Sequence, residues 1–68
     1  MQNTQNIERL TKAKHTADFL VSELRELYVK ASPILSLLIT PELELAVKIS
    51  RQLNAILETV TTETILNE

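Results

Sequence analysis

Apolar residues recur at alternating steps of three and four through two long segments of this chain. Residues with this spacing share one face of an α-helix, so each segment is expected to form a helix with an apolar stripe. Because the chain contains no glycine, glycine-rich phosphate loops and glycine helix caps are excluded. The pattern predicts an all-α fold, with these stripes: Leu10, Ala13, Ala17, Leu20, Leu24, Leu27 and Ala31, then Ala46, Ile49, Leu53, Ile56 and Val60.

Two pairs, Ser32-Pro33 and Thr40-Pro41, divide the chain. In each pair the hydroxyl can act as the N-cap of a helix whose first residue is the proline. The residue before a proline disfavours the α conformation, so a preceding helix ends there. We therefore expect two long helices separated by a short helical turn. The predicted segments are a flexible lead-in at 1–6, a helix at 7–31, a tip at 33–39 and a helix at 41–66, with 7–66 forming one domain.

The two predicted helices have nearly equal lengths of ~37 and ~39 Å at ~1.5 Å per residue. In an antiparallel hairpin, small Ala13 and Ala17 would face large Ile56 and Val60. An antiparallel two-helix hairpin is therefore the expected architecture. A domain-swapped pair of open chains would satisfy the same pattern.

A chain of 68 residues buries too little surface to be comfortably stable as a lone hairpin. Small proteins offset this with disulfides, a metal or self-association. The chain has no cysteine and one histidine, His15, so disulfides and thiolate metal sites are excluded. Assembly as a homodimer, or as a helical bundle with another protein, is the expected solution.

The segment between the prolines is the first candidate contact surface. Its large aliphatic side chains surround a short helix, which a hairpin tip alone cannot cover. Phe19 lies off the main stripe and is a second candidate anchor. For the segment between the prolines, the structural alternative is a plug folded over the end of the hairpin. For Phe19, the alternative is a contact within its own helix. The predicted partner-binding residues are Phe19, Ile34, Leu35, Leu37, Leu38 and Ile39.

The central part of both stripes is predicted to form the seam of a dimer. The stripe of the second helix is broad, which suits a helix with more than one neighbour. The predicted dimer-seam residues are Leu20, Leu24, Leu27, Ile49, Leu53, Ile56 and Val60.

His15, Asp18 and Ser22 share one helical face and supply the residue types of a hydrolytic triad. Catalysis also requires a pocket and preorganised donors, and the backbone N–H groups of a helix are already bonded. A solvated polar face explains the three residues better. We expect no enzyme activity, and no catalytic residue, cofactor, metal or small-molecule substrate.

Arg9, Lys12 and Lys14 form a basic cluster that dimerisation would duplicate. The net charge of −2 gives no overall basic excess, so nucleic-acid binding is the less favoured alternative. A nucleic-acid-binding regulator acting as a helical hairpin dimer would use these residues as phosphate contacts. The architecture of such a dimer is similar to that of plasmid copy-number regulators, which bind RNA as antiparallel hairpin dimers.

The longest apolar stretch, 34–39, is interrupted by Ser36 and is far shorter than the ~20 residues that span a bilayer. No secretory signal is visible, so no membrane association and a cytoplasmic location are expected. The favoured function is a small protein–protein interaction module: an adaptor, co-chaperone or regulator of a larger protein. No motif specifies one family.

Overall fold

The chain forms two α-helices joined by a two-residue connection. The computed structural model describes the backbone of residues 2–67 and the side chains of residues 4–62. Helix α1 spans Gln2–Lys30 and helix α2 spans Pro33–Asn67. Within the described backbone, only residues 31–32 lie outside a helix. The predicted all-α fold class is confirmed.

Helix α1 begins earlier than the apolar pattern indicates. The segment 1–6, predicted as a flexible lead-in, is helical from Gln2 onward, and Met1 lies outside the described residues. The segment contains neither proline nor glycine, so nothing in it interrupts the hydrogen-bonded ladder of the following turns. Near the other end, Lys30 donates a hydrogen bond to Glu26 at 2.6 Å, a pair that suits the negative end of the helix dipole.

Ser32-Pro33 ends the first helix and starts the second, as the sequence predicts. The Leu35 N–H donates to the Ser32 hydroxyl at 3.3 Å, so Ser32 is the N-cap of α2. Pro33 occupies the first helical position, where its missing N–H costs nothing.

Two further hydrogen bonds stabilise the connection, one at the end of α1 and one between the two helices. The Ala31 N–H donates to the Leu27 carbonyl at 2.8 Å. The Ser36 hydroxyl donates to the Tyr28 carbonyl at 2.7 Å. Because the second bond joins the two helices, it restricts the angle at which α2 leaves the connection.

The predicted second break, at Thr40-Pro41, is absent. Pro41 lies inside α2, and the tip 33–39 is the start of that helix rather than a separate turn. The Thr40 hydroxyl donates to the Ser36 carbonyl at 2.8 Å, so it does not act as an N-cap. Proline removes one N–H from the helical ladder and crowds the carbonyl four residues earlier, and α2 continues through Pro41 despite both effects.

The two helices lie side by side in opposite directions, which is the arrangement of a hairpin. The Ser50 hydroxyl of α2 donates to the Asp18 carboxylate of α1, thirty-two residues away in sequence. The chain measures 52 × 14 × 13 Å, and its long dimension equals that of a single 35-residue helix at ~1.5 Å per residue.

The contact between the helices is built on small side chains. Among the residues whose side chains are described, only Ala17, Val21 and Ala46 are buried, and Ala46 is 3% exposed. Half-buried aliphatic side chains extend this contact in both directions. They are Ile7, Leu10 and Leu24 on α1, and Ile39, Leu43, Val47, Leu53, Leu57 and Val60 on α2.

The observed contact is rotated relative to the predicted stripes. Val21, rather than Leu20, is buried against α2, and half-buried Ser50, rather than Ile49, bonds to α1. The small Ala13, expected to face α2, is exposed. Each helix has an apolar stripe broader than one neighbour needs, so the hairpin uses one edge of the stripe and leaves the other outside.

We expect Ala46→Leu to destabilise the protein, because Ala46 is only 3% exposed and a larger side chain has no room there. Overpacking a tight contact costs about 1–3 kcal/mol. The matched control is Ala55→Leu, the same substitution at an exposed position of the same helix. Urea unfolding followed by circular dichroism at one protein concentration measures both. Equal stability of the two variants would contradict the observed packing.

Candidate interaction surface

Most of the large apolar side chains in the described part of the chain are exposed to solvent. Phe19 is 66% exposed, and Ile34 and Leu37 are 74% and 75% exposed. Monomeric soluble proteins seldom expose so much contiguous apolar surface. The exposed large hydrophobic residues are Phe19, Leu20, Leu27, Tyr28, Val29, Ile34, Leu35, Leu37, Leu38, Leu45, Ile49 and Ile56.

The predicted dimer-seam residues divide into two groups in the structure. Leu24, Leu53 and Val60 are half-buried and belong to the contact within the hairpin. The other four are exposed on the outside of the helix pair. These are Leu20, Leu27, Ile49 and Ile56.

The predicted partner-binding residues lie in the first turns of α2, apart from Phe19 on α1. Ile34, Leu37 and Leu38 are among the most exposed side chains, and Ile39 is half-buried. The segment is therefore not folded back as a plug. It extends the apolar surface to the closed end of the hairpin.

One side of the hairpin is polar. A shallow groove along the helix pair is lined by Asp18, Ser22, Arg25, Ser50 and Arg51, together with two valines. The same edge of both helices therefore carries hydroxyl and charged groups. We call these five residues the polar face.

The opposite side of the hairpin is apolar. Leu20 comes two residues after Asp18, and Ile49 comes two residues before Arg51. Two residues turn an α-helix by about 200°, so both apolar side chains lie on the edge opposite the polar face. Residues seven apart lie within ~20° of one line along a helix, which extends this surface along both helices, with exposed Glu42, seven residues before Ile49, as a charge on the same line. The apolar face comprises Ala13, Leu20 and Leu27 of α1, and Leu38, Leu45, Ile49 and Ile56 of α2.

A polar cluster fixes the two helices against each other. Lys14 donates to Asp18 Oδ2 at 2.7 Å, and Ser50 donates to Asp18 Oδ1. Hydrogen bonds from Lys14 and Ser50, and the positive charges of Lys14 and His15, hold the pKa of Asp18 below its ordinary value of 3.8. The sequence reasoning missed this cluster. Its signal is Ser50, a polar residue at a stripe position between Ala46 and Leu53.

Asp18 of this cluster is also a member of the possible triad His15, Asp18 and Ser22. Both carboxylate oxygens of Asp18 are engaged, one by Lys14 and the other by Ser50. Among the side-chain hydrogen bonds of the described residues, Asp18 is joined to Lys14 and Ser50, and none joins it to His15.

The three predicted phosphate-contact residues do not form one surface. Lys14 is half-buried and bonded to Asp18. Arg9 and Lys12 are exposed, and they lie about 140° and 160° around α1 from Lys14 at ~100° per residue. A phosphate group touching Arg9 and Lys12 would not reach Lys14.

No protein-family model matches the chain, and neither a curated protein nor a solved structure matches it. Within the described residues, neither helix has a stretch that is sufficiently long and apolar to cross a membrane. In the same part of the chain, no three His, Cys, Asp or Glu side chains are grouped as a metal site would require.

Asp18→Asn is expected to lower stability at neutral pH by weakening the link between the helices. A carboxylate whose folded pKa is lowered stabilises the protein above its unfolded pKa, and this contribution disappears as the pH falls through the folded pKa. The stability difference between wild type and Asp18→Asn should therefore be full at pH 6 to 7 and shrink below about pH 4.

Urea unfolding of both proteins across this pH range measures the difference. Glu44→Gln, which neutralises an exposed carboxylate on α2, is the control. A pH-independent difference for Asp18→Asn would show that its carboxylate charge does not stabilise the hairpin.

Proposed function

We propose that this chain is a small non-enzymatic protein–protein interaction module that acts by burying its apolar face against other helices. The partner is a second copy of the chain or another helical protein. In a cell, such a module serves as an adaptor, a co-chaperone or a regulator of a larger protein.

One observation carries this proposal: among the described side chains the fully buried ones are small, whereas most of the large apolar ones are exposed. The buried ones in that part of the chain are two alanines and a valine, while Leu20, Ile49 and Ile56 are each at least 41% exposed. Burial of a large aliphatic side chain contributes about 1.5–3 kcal/mol. Most of the hydrophobic free energy available to the sequence is therefore obtained only on association.

The distribution of polar groups supports the same proposal. The polar face takes part in the Asp18–Ser50 link, whereas Leu20, Ile49 and Ile56 expose large apolar side chains on the opposite side. A surface divided in this way suits a helical layer that has water on one side and a second layer on the other. The exposed tip residues Ile34 and Leu37 extend the contact surface beyond that layer.

Two double variants test the proposal. Ile49→Glu with Ile56→Glu places carboxylates on the apolar face, and Leu37→Glu with Leu38→Glu places them at the tip. The face variant should weaken association at least about a hundredfold, because four large side chains are lost from a symmetric dimer. The tip variant should weaken association at least about tenfold. In both variants, the chains that still associate should keep their helicity.

Sedimentation equilibrium of each variant measures association, with multiples of the 7.7 kDa chain mass as the reference. Ser22→Glu with Ala55→Glu adds the same charge at exposed positions away from the apolar face and should associate like wild type. A wild-type chain that is helical, cooperative and monomeric at every concentration would contradict the proposal.

A further inference from the structure

Four exposed charges on the outer surface of α1, two basic and two acidic, are arranged symmetrically about its centre, and exposed Glu8 lies outside this pattern. Arg9 and Lys12 lie in its first half, and both are exposed. Glu23 and Glu26 lie in its second half, and both are exposed. Arg9 and Glu23 are fourteen residues apart, so they lie on nearly one line along the helix. Lys12 and Glu26 have the same separation and lie on the neighbouring line.

The two basic positions and the two acidic positions share one midpoint. The midpoint between Arg9 and Glu26 lies between residues 17 and 18. The midpoint between Lys12 and Glu23 lies at the same place. If a second α1 lies against the first in the opposite direction about this point, Lys12 comes level with Glu23 of the partner protomer. Each such pair occurs twice in the dimer, because the contact is symmetric.

These charges cannot meet within one chain. Lys12 and Glu23 are eleven residues apart on a single helix, or about 16 Å at ~1.5 Å per residue. A helix brings together only residues three or four apart. Glu26 also bonds to Lys30 of its own chain, which makes the Lys12–Glu23 pair the more informative one.

The centre of this pattern contains Phe19, which is 66% exposed. Phe19 and Thr16 are also symmetric about the same midpoint, between the basic and the acidic pairs. A reversed second helix would therefore bring Phe19 beside Thr16 of the partner protomer, midway along the contact. Because Phe19 is seven residues after Lys12, it lies on the same line of α1 and would cover the rim of the seam between the charged pairs.

The apolar side chains of α2 fit the same two-fold axis. The Asp18–Ser50 hydrogen bond places Ser50 level with the midpoint of the α1 pattern. Leu45 lies five residues before Ser50, and Ile56 lies six residues after it. A two-fold axis at this level brings Leu45 level with Ile56 of the partner protomer, so large apolar side chains meet on both helices.

The available area matches that of a stable dimer. A face with the 52 Å and 14 Å dimensions of the hairpin covers roughly 700 Å², close to the ~800 Å² per partner of a standard interface. The opposite stacking, with both tips at one end, would place α1 on α2 of the partner protomer. There Arg9 and Lys12 would come level with Thr59 and Ile56, neither of which carries a charge.

We propose that two copies of this chain associate through their apolar faces with their tips at opposite ends, α1 against α1 and α2 against α2. The Lys12–Glu23 pairs lie at the rim of the α1 seam and select this orientation. The inference rests on the proposed function and names the partner as a second copy.

A charge exchange tests the orientation. Lys12→Glu and Glu23→Lys each replace two attractive pairs by two repulsive ones, so each single variant should weaken the dimer about tenfold at low salt. The double variant restores opposite charges and should return the dissociation constant to within about threefold of wild type. Lys48→Glu reverses an exposed charge on α2 and should leave the constant unchanged. Sedimentation equilibrium at low and high salt measures all four variants, and the differences should shrink at high salt.

The outcomes separate this inference from the proposed function. Dimers that are unaffected by the single changes, or not restored by the double change, would overturn the orientation and leave the interaction module standing. A chain that is unfolded by itself would overturn the homodimer and leave docking onto another helical protein. A stable helical monomer would contradict both.

Discussion

Two helices that lie side by side can each turn only one side toward the other, and this limit governs the whole molecule. In this hairpin the inward side carries small residues. Ala17 and Ala46 allow the helices to approach closely, but they remove little apolar area from water. The chain also has no cysteine with which to add a disulfide. We infer that the second layer of the core is supplied by another chain.

The choice of which residues face inward depends on a polar link. Asp18 accepts hydrogen bonds from Ser50 across the helix contact and from Lys14 on its own helix. The hydrogen bond across the contact forms only when Asp18 and Ser50 face each other, so the link favours one rotation and one register of the helices. Once that rotation is set, Leu20 and Ile49 must lie outside. The proposed interaction surface is thus a consequence of the contact within the chain.

Much of this architecture could be predicted from the sequence. The three-and-four spacing predicts the helical class, and Ser32-Pro33 predicts the junction, because a capping hydroxyl followed by proline favours the start of a helix. The same local signal failed at Pro41, where the surrounding helix is long enough to accept one lost hydrogen bond. The rotation of the helices also could not be predicted, since each stripe is broad enough to serve two neighbours. Val21 and Leu20 are equally apolar, and only the Asp18–Ser50 link distinguishes their roles.

The most direct test of the account is the helicity of the wild-type chain on dilution. Far-UV circular dichroism and the average molecular mass should be measured together, from high micromolar to nanomolar concentrations. If the second layer of the core comes from another copy, helicity should fall over the same concentration range in which the mass falls to that of one chain. Helicity that stays constant after the mass has reached that of the monomer would contradict the account.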